Sequence, residues 1–333
     1  MTLTSIWHRG HDVLARLSVL TRGSTAPVMA WSNEWSIAIY RGCNPFAFAP
    51  HTFASNPVLS RTDVTDVPAR FVADPFMVKA DDKWHMYFEV MNASSRKGEI
   101  GYAASNDGIR WSYQQIVLAT PSHMAYPYVF EWMGEFFMIP AISKSDALHL
   151  YRASKFPNHW SYCKTLLSGI KVVDASIAQV EGRWWIFADT SCGVKCDTLR
   201  LFYSNHLMGP WNEHPKSPIV AANPHIARPG GRVISFEGLV IRYTQDCYPR
   251  YGNRLRAFEI TELTPTKYRE REARENPILS AGEIGAWNAA GMHHIDPHQI
   301  SSNEWIACVD GHRKVPLKNS ISTAGSAALS FST

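Results

Sequence analysis

The stretch VADPFMVKADDKWHMYFEV, residues 72–90, decides the fold. Two apolar or alternating runs are separated by the polar turn ADDK, which is the signature of a β-hairpin. Two carboxylates interrupt this pattern, because Asp74 stands near the start of the first strand and Glu89 near the end of the second. A lone hairpin has no reason to place acids where Val or Leu would pack. The interpretation therefore depends on whether the hairpin recurs.

The hairpin recurs four more times. Each copy has an apolar strand, a polar turn and a second apolar strand. The copies are YPYVFEWMGEFFMIPAIS (126–143), VDASIAQVEGRWWIFADTS (173–191), RPGGRVISFEGLVIRYTQD (228–246) and HIDPHQISSNEWIACVDG (294–311). The first four hairpins are each followed by two more strands, the last of them preceded by Trp111, Trp160, Trp211 or Tyr268. Four strands per unit and a period near fifty residues predict a β-propeller.

The chain contains four complete units and a C-terminal half unit. The first-strand markers are spaced by 52, 48, 54 and 66 residues: Asp74, Tyr126, Asp174, Arg228 and His294. Residues 35–59 supply the missing half, since their NPVL ending matches NPIL at 276–279. We therefore predict an all-β, five-bladed β-propeller whose ring is closed by N-terminal strands completing the last blade. The predicted divisions are an N-terminal arm (1–30), a single propeller domain (31–313) and a loose C-terminal tail (314–333).

Composition narrows the possible functions. The 333 residues are 45% hydrophobic, enough for a large core, and Trp84, Trp184, Trp185 and Trp305 are expected to pack there. A net charge of +4 without a dense basic run disfavours nucleic acid as a partner. No apolar run approaches the ~18 residues of a membrane span, and charged residues in the first twenty disfavour a signal peptide.

The cysteines suggest a compartment. Cys192 and Cys196 could pair or bind a metal, but no second such pair exists among the six cysteines. Reduced thiols and a cytoplasmic location are the expectation.

In a propeller the first strand of each blade lines the central channel, and five apolar strands here open with polar groups. The residues expected to converge there are Asp74, Tyr126, Asp174, Arg228, Arg232, His294, Asp296 and His298. Glu89, on the neighbouring strand, could reach the same pocket. The alternative for Asp74 is structural, because Asp-Pro is also a good turn element that can cap a backbone N–H.

The segment HHIDPH raises the question of a metal. His294, Asp296 and His298 would share one face of an extended strand, and two imidazoles with a carboxylate can hold a metal ion. Pro297 disturbs the strand, so hydrogen bonding within the pocket is the preferred interpretation. We expect neither a resident metal nor a cofactor.

An ordered series of motifs over about residues 70–275 resembles the propeller domain of the glucosamine inositolphosphorylceramide transferase family. The motifs are ADPF (73–76), YFE (87–89), GEIG (98–101), YPYVFE (126–131), VD (173–174), WWIFAD (184–189), GPWNEH (209–214), RPGGR (228–232), QDC (245–247) and YG (251–252). That propeller is itself similar to the five-bladed arabinanase, levansucrase and invertase superfamily. In the plant transferases the glycosyltransferase module is a separate C-terminal domain, which we expect this chain to lack.

The resemblance implies roles for particular residues. The five-bladed sugar enzymes place a base or nucleophile where Asp74 stands and a supporting Asp where Asp174 stands. Their acid, a Glu at the start of a later blade, is replaced by Arg228, so Glu89 or Glu131 would have to serve. The sequence also departs from the family at Ala141, where relatives often have a carboxylate, and at Ala175. The expected substrate-binding residues are Tyr126, Glu131, Arg228, Arg232, Asp246, His294 and Asp296.

Three functions remain open. The first is a glycoside-processing, hydrolase-like enzyme that uses Asp74, Glu89 and Asp174 in a central polar pocket. The second is a non-catalytic module that recognises a sugar or sugar phosphate beside a separate glycosyltransferase. Arg228, Arg232 and Arg242 favour an acidic or phosphorylated sugar in either case. The third is a protein-interaction propeller, which would not need convergent carboxylates.

Overall fold

The opening hairpin forms as predicted, and its turn has the geometry that the sequence requires. The structure, a computed structural model, describes residues 31–193 and 195–316. Strands Ala69–Ala80 and Lys83–Asn92 pair antiparallel across a two-residue turn. Asp81 and Asp82 in that turn both have positive φ angles, the conformation whose twist matches that of paired strands. The same two-residue left-handed turn recurs in three further blades, at Met133–Gly134, Glu181–Gly182 and Glu237–Gly238.

In the described residues, twenty strands form five four-stranded antiparallel sheets. The first two strands along the chain are β1 (Trp31–Asn44) and β2 (Ala47–Pro50). Blade 1 comprises β3 (Ala69–Ala80), β4 (Lys83–Asn92), β5 (Lys97–Ser105) and β6 (Ser112–Leu118). Blade 2 comprises β7 (Met124–Trp132), β8 (Glu135–Ile142), β9 (Ala147–Lys155) and β10 (His159–Ser168). Blade 3 comprises β11 (Ala175–Val180), β12 (Arg183–Asp189), β13 (Leu199–Ser204) and β14 (Asn212–Glu213). Blade 4 comprises β15 (Ile234–Phe236), β16 (Leu239–Asp246), β17 (Arg254–Leu263) and β18 (Tyr268–Glu272).

Blade 5 closes the ring and combines both ends of the described chain. Its strand order is β19 (Gly291–Ser301), β20 (Glu304–Pro316), β1 and β2. The ladder between β1 and β20 runs from the pair Trp31 and Pro316 to the pair Gly42 and Trp305. The predicted five-bladed propeller and its N-terminal closure are thereby confirmed. Strand β20 continues three residues beyond the predicted boundary at 313, whereas the predicted arm (1–30) and residues 317–333 of the predicted tail lie outside the described residues.

The repeated Asn-Pro-x-Leu endings serve the same purpose in two blades. The Asn56 side chain accepts a hydrogen bond from the Ile39 N–H and donates one to the Ile39 carbonyl, both at 2.9 Å. Asn276 does the same for Ala257, at 2.7 and 2.9 Å. Each amide replaces a neighbouring strand by satisfying one backbone donor and one acceptor, so the sheet edge is not left with bare polar groups.

The hydrophobic core lies between adjacent blades. Large buried side chains such as Phe76, Tyr87, Phe137 and Ile186 interlock from one sheet to the next. The four tryptophans expected in the core, Trp84, Trp184, Trp185 and Trp305, are all buried. Residues 31–193 and 195–316 include no helix of the length and apolarity that a membrane crossing needs.

Candidate functional site

A cavity of about 1250 Å³ opens at one end of the propeller axis. All five blades contribute residues to its wall, some from their strands and some from the loops between strands. Four charged side chains form its floor, namely Asp74, Glu89, Asp174 and Arg228. A shallower depression of about 490 Å³ lies on the outer side of blades 3 and 4. That depression has a single carboxylate, Glu262, which is already ion-paired with Lys267 and Arg269.

The rim of the axial cavity is rich in cations. Its positively charged side chains are Arg70, Arg96, Lys97, Lys144 and Lys171. One rim carboxylate, Glu34, is already ion-paired with Arg61 and Arg313. The cavity therefore combines carboxyl groups at its floor with an excess of positive charge at its mouth.

A β-bulge directs Asp74 into the cavity. The register between β3 and β4 shifts between Ala73 and Phe76, and Asp74 adopts a left-handed φ of 53° immediately before Pro75. This backbone conformation is unfavourable for a residue other than glycine, so it persists only where the surroundings impose it. Glu89 pairs with Ala73 across the same irregular section, which brings its carboxyl beside that of Asp74. The fold thus positions two carboxyl groups together at the cavity floor.

Asp174 is held by an ion pair with the neighbouring blade. The Arg228 Nε donates to Asp174 Oδ2 at 2.7 Å, and the Gln245 Nε2 donates to the same oxygen at 3.0 Å. The Arg228 guanidinium lies over the Tyr251 ring, 5.1 Å from its centroid. Both side chains are largely buried, so contacts with protein groups, and not with solvent, hold the ion pair in place.

Asp74 also contacts a buried histidine network. The His293 Nδ1 lies 2.7 Å from Asp310 Oδ1, and its Nε2 lies 2.8 Å from the Tyr251 hydroxyl and 3.7 Å from Asp74 Oδ1. The backbone N–H of Asp74 donates to Asp310 Oδ2 at 2.9 Å. The Trp35 ring stacks on His293 with 4.1 Å between centroids. Asp310 and His293 therefore fix both the backbone and the electrostatic surroundings of Asp74.

Glu89 faces a histidine from the loop before blade 2. The Gly98 N–H donates to His123 Nδ1 at 2.8 Å, so the neutral ring carries its hydrogen on Nε2. That nitrogen lies 3.4 Å from Glu89 Oε1. A methyl group at Gly98 would overlap both side chains, so glycine is required for this approach.

The floor carboxyl groups have strongly perturbed pKa values. Burial, reinforced by the charges of Asp174 and Asp310, raises the pKa of Asp74 to about 7 against the opposing effect of His293. Burial and the Asp74 carboxylate raise the pKa of Glu89 well above its usual range. Burial would also raise the pKa of Asp310. The charge of His293 and its hydrogen bond to Asp310 act against burial, and the pKa of Asp310 is lowered. Neighbouring carboxyl groups in different protonation states are the arrangement that acid–base catalysis uses.

Four of the residues predicted for the pocket come together at its floor, and five others do not reach it, namely Tyr126, Arg232, His294, Asp296 and His298. Tyr126 accepts a hydrogen bond from the Gly231 N–H at 2.8 Å, and His294 Nε2 lies 2.9 Å from the Pro75 carbonyl oxygen. Arg232 donates to Asp296 at 2.6 Å and to backbone carbonyls of blades 1 and 2. The predicted convergence of all nine residues at one level is therefore wrong, because these five residues do not line the cavity.

Two further predicted residues lie away from the cavity. Glu131 is exposed at the turn end of β7, and Asp246 is buried between Arg256 at 3.0 Å and His225 at 2.8 Å. For Glu131 the reason is distance along the strand, since it approaches the β7–β8 turn while the cavity lies near the strand start. Asp246 already has its charge balanced by neighbouring arginines.

The predicted metal alternative at HHIDPH does not assemble. His298 contacts Asp296 at 2.9 Å, but Asp296 is committed to Arg232 and His294 faces a backbone carbonyl. Within the described ranges, one group of three potential ligands lies close enough to hold an ion, namely Asp74, His293 and Asp310. Both ring nitrogens of His293 already have hydrogen-bond partners, so a cation there would have to displace one of them.

Sequence reasoning missed His293, Asp310, Tyr251 and His123. The repeat in the sequence made His294 the first-strand marker equivalent to Asp74. In the structure the register shift of β19 lies between Gly291 and His294, so His293 stands where the bulge of blade 1 has Asp74 or Pro75. The distance to the following hairpin turn does not identify His293 either, because β19 contains a second register shift between Gln299 and Ser301.

This geometry corresponds to known folds. The catalytic domain of the Coprinopsis cinerea GH62 α-L-arabinofuranosidase matches with a TM-score of 0.54 and 13% identity, over 84% of this chain and 96% of that one. A putative glycoside hydrolase from Bacteroides ovatus matches with a TM-score of 0.57 and 14% identity, over 80% and 96%. At this identity the likeness concerns the fold alone, and it defines the class as five-bladed β-propellers.

Sequence comparison then gives the family. A profile described as "Glucosamine inositolphosphorylceramide transferase 1, N-terminal" matches residues 31–312. Proteins named glucosamine inositolphosphorylceramide transferase 1 from Oryza sativa subsp. japonica and Arabidopsis thaliana are 36% and 34% identical over 84% of this chain. The chain belongs to this family, as its motifs predicted. It spans about 40% of the length of the rice relative and 39% of the Arabidopsis one.

Proposed function

We propose that this propeller cleaves a glycosidic bond in its axial cavity. The observation that carries the proposal is the pair of buried carboxyl groups, Asp74 and Glu89, beside an Asp174 already paired with Arg228. Hydrolysis of a glycosidic bond requires one protonated and one ionised carboxyl group. In this proposal Glu89 keeps its proton and acts as the acid, and Asp74 acts as the base or nucleophile. Asp174 supports the developing charge.

The proposed substrate is a glycan that carries a phosphate or carboxylate group. The five cations of the rim would attract such a group, while the carboxyl groups of the floor can accept hydrogen bonds from sugar hydroxyls. Ala141, where a carboxylate was expected, lines the cavity and leaves its space open. The cavity volume of about 1250 Å³ accommodates more than one sugar ring.

The test compares turnover by the wild type and three variants on aryl glycosides and on acidic or phosphorylated oligosaccharides. Asp74→Asn and Glu89→Gln should each lower kcat/KM by about 10³-fold or more, because each removes a group in contact with the reacting bond. Glu131→Gln, an exposed carboxylate outside the cavity, is the matched control and should retain full activity. Turnover that is unchanged by Asp74→Asn would refute the assignment.

The pH profile provides a second criterion. The productive form has Asp74 ionised and Glu89 protonated, so kcat/KM should rise through an apparent pKa near 7 and fall again at higher pH. A rate that is independent of pH between 6 and 8 would contradict these roles.

A second candidate is a non-catalytic recognition module for sugar phosphates, working with a separate glycosyltransferase in the cytoplasm. The specific observation in its favour is Arg228, which occupies the start of blade 4 where the related hydrolases place an acid. In that case the wild type turns over none of the glycosides, yet sugar phosphates raise its Tm. Lys144→Ala together with Lys171→Ala, which remove two rim cations, should then abolish the increase.

A further inference from the structure

Two cysteines that are distant in sequence meet beside the cavity. Cys196 lies in the connection between β12 and β13, and Cys247 directly follows β16. Their thiol groups are hydrogen-bonded to each other. The backbone brings the two segments together, because Cys247 N–H donates to Pro224 O at 2.9 Å and Asn223 N–H donates to Asp197 O at 3.2 Å. The contact therefore joins blade 3 to blade 4.

The sulfur of Cys196 also contacts the cation of the cavity floor. The Arg228 Nη1 donates to Cys196 Sγ at 3.4 Å, while its Nε donates to Asp174. A guanidinium beside a sulfur favours the thiolate, which is the nucleophilic form of cysteine. The hydrogen bond from Cys247, followed by the charge of Arg228, lowers the pKa of Cys196 to about 7 although burial opposes it. The pKa of Cys247 is raised well above its usual range, chiefly by the same hydrogen bond.

We propose that Cys196 and Cys247 form a redox-active dithiol that a peroxide converts to a disulfide bridging blades 3 and 4. The Cys196 thiolate attacks one peroxide oxygen, which forms a sulfenic acid and releases the other oxygen as hydroxide, protonated to water. The Cys247 sulfur then attacks the sulfenic sulfur; the S–S bond forms, the hydroxyl group leaves, and the thiol proton completes a second water. Two electrons pass from the two thiols to the peroxide.

Oxidation would change the cavity through Arg228. In the reduced state its guanidinium is shared between the sulfur of Cys196 and the carboxylate of Asp174. The disulfide removes the negative charge of the Cys196 thiolate. Arg228 then interacts only with Asp174 and with any bound anion. This thiol chemistry stands independently of the hydrolytic proposal, since it requires no substrate.

The chain contains a matched control. Cys192 lies on the same connection but is exposed, and the sequence suggested it as the partner of Cys196. The structure places Cys247 in that position instead. All six cysteines lie in the described part of the chain and are free thiols, so each can be followed in one experiment.

The experiment treats the reduced full-length protein with hydrogen peroxide, blocks remaining thiols with an alkylating agent and maps the peptides by mass spectrometry. Wild type and Cys192→Ser should each lose two alkylatable thiols and yield a peptide that links Cys196 to Cys247. A dithiol reductant should cleave this link and restore both thiols. Cys196→Ser and Cys247→Ser should not yield it. The yield of linked peptide at early times should rise with pH through a midpoint near 7.

Three outcomes would overturn the proposal. These are a disulfide between Cys192 and Cys247, sulfinic acid at Cys196 without a linked peptide, and full alkylation of both thiols after peroxide. The wild-type peptide map alone decides among them, so the result stands even where a serine variant folds poorly. Turnover of glycosides is not measured, which separates this outcome from that of the hydrolytic proposal.

Discussion

Arg228 is the residue on which most of the candidate site depends. Its guanidinium contacts Asp174, Cys196 and the Tyr251 ring, and among the described residues no other blade supplies a cation at the cavity floor. The resemblance to the five-bladed sugar enzymes led us to expect an acid at the start of a later blade, and this chain has Arg228 there instead. The buried Asp174 carboxylate is compatible with the fold because Arg228 and Gln245 compensate it.

Replacing Arg228 should therefore destabilise the protein more than replacing a surface arginine. Arg228→Leu leaves the charge of Asp174 buried with a single amide donor, and we expect a loss of about 3–5 kcal/mol in the free energy of unfolding. Urea denaturation measures it. Arg152→Leu, which breaks an exposed pair with Glu135, should cost about 0–1 kcal/mol. If Asp174→Asn added to Arg228→Leu restores no stability, the buried charge is not the cause.

Asp74 should reduce stability at neutral pH. Its pKa is about 7 in the folded protein against 3.8 for the free group, so the stability it contributes is complete below pH 3.8 and is lost as the pH rises through 7. Asp74→Asn removes that loss. We expect the variant to exceed the wild type by on the order of 2–4 kcal/mol at pH 8 and to match it near pH 4. Chemical denaturation at a series of pH values measures the difference.

Asp107 supplies a control, because its effect on stability should change with pH in the opposite direction to that of Asp74. Hydrogen bonds from the backbone N–H groups of Arg110 and Ile109 outweigh partial burial and lower its pKa. Its contribution to stability is therefore present at neutral pH and is lost as the pH falls below the usual value of 3.8. Asp107→Asn should be less stable than the wild type at pH 8. A pH-independent difference for both variants would show that packing, not ionisation, determines their stability.

At the scale of the strand, the irregular positions create the site. The register shifts in β3 and β7 place Asp74 and Tyr126 in left-handed conformations, each before a proline. Tyr126 then reaches Gly231, whose φ is 142° and whose backbone bridges in parallel to Ile295 of blade 5. This contact connects blades 2, 4 and 5 along the channel.

Gly231 should consequently tolerate no side chain. A Cβ there would overlap the carbonyl oxygen of Ile295, and the neighbouring atoms are backbone that cannot rotate away. We expect Gly231→Ala to lower the free energy of unfolding by about 3 kcal/mol or more. Gly238→Ala is the control, since its φ is also positive but its Cβ would meet open space, so about 1 kcal/mol is expected. Thermal unfolding compares the two, and equal losses would exclude the proposed clash.

Strands and turns were predictable from the sequence where the same local residue pattern recurs from blade to blade. The turn residues Asp81 and Asp82, the Asn56 and Asn276 endings and the alternating strands indicate pairing without knowledge of distant contacts. The site was only partly predictable. Asp74 and Asp174 follow the repeat, but the position of His293 depends on a bulge whose register is fixed by packing between blades.

At the scale of the whole molecule, the ring is held together by non-covalent pairing within blade 5. Within the described ranges 31–193 and 195–316, blade 5 is the sheet that combines strands from both ends of the chain, and the β1–β20 ladder joins them. Residues such as Ile37 and Ile39 of β1 are fully buried against the β3–β4 side of the core. Without β1, both blade 5 and blade 1 would expose apolar surface.

A chain that begins at residue 51 should therefore not fold. It lacks β1 and β2, whereas a chain that begins at residue 31 keeps every strand of the ring. We expect the longer chain to unfold cooperatively with a native near-ultraviolet circular dichroism spectrum, and the shorter chain to aggregate or to lack that spectrum. Cooperative unfolding of the shorter chain at a similar temperature would mean that closure contributes little.

The β1–β20 pairing also determines where any attached polypeptide would emerge. Trp31 and Pro316 are partners in the ladder, and the adjacent Ser32 and Val315 form part of the cavity wall. Both ends of the described part of the chain therefore lie at the mouth of the cavity. If the proposed cleavage takes place in the cavity, modules linked beyond both ends would be tethered near the point where the product leaves, which raises its effective concentration for them.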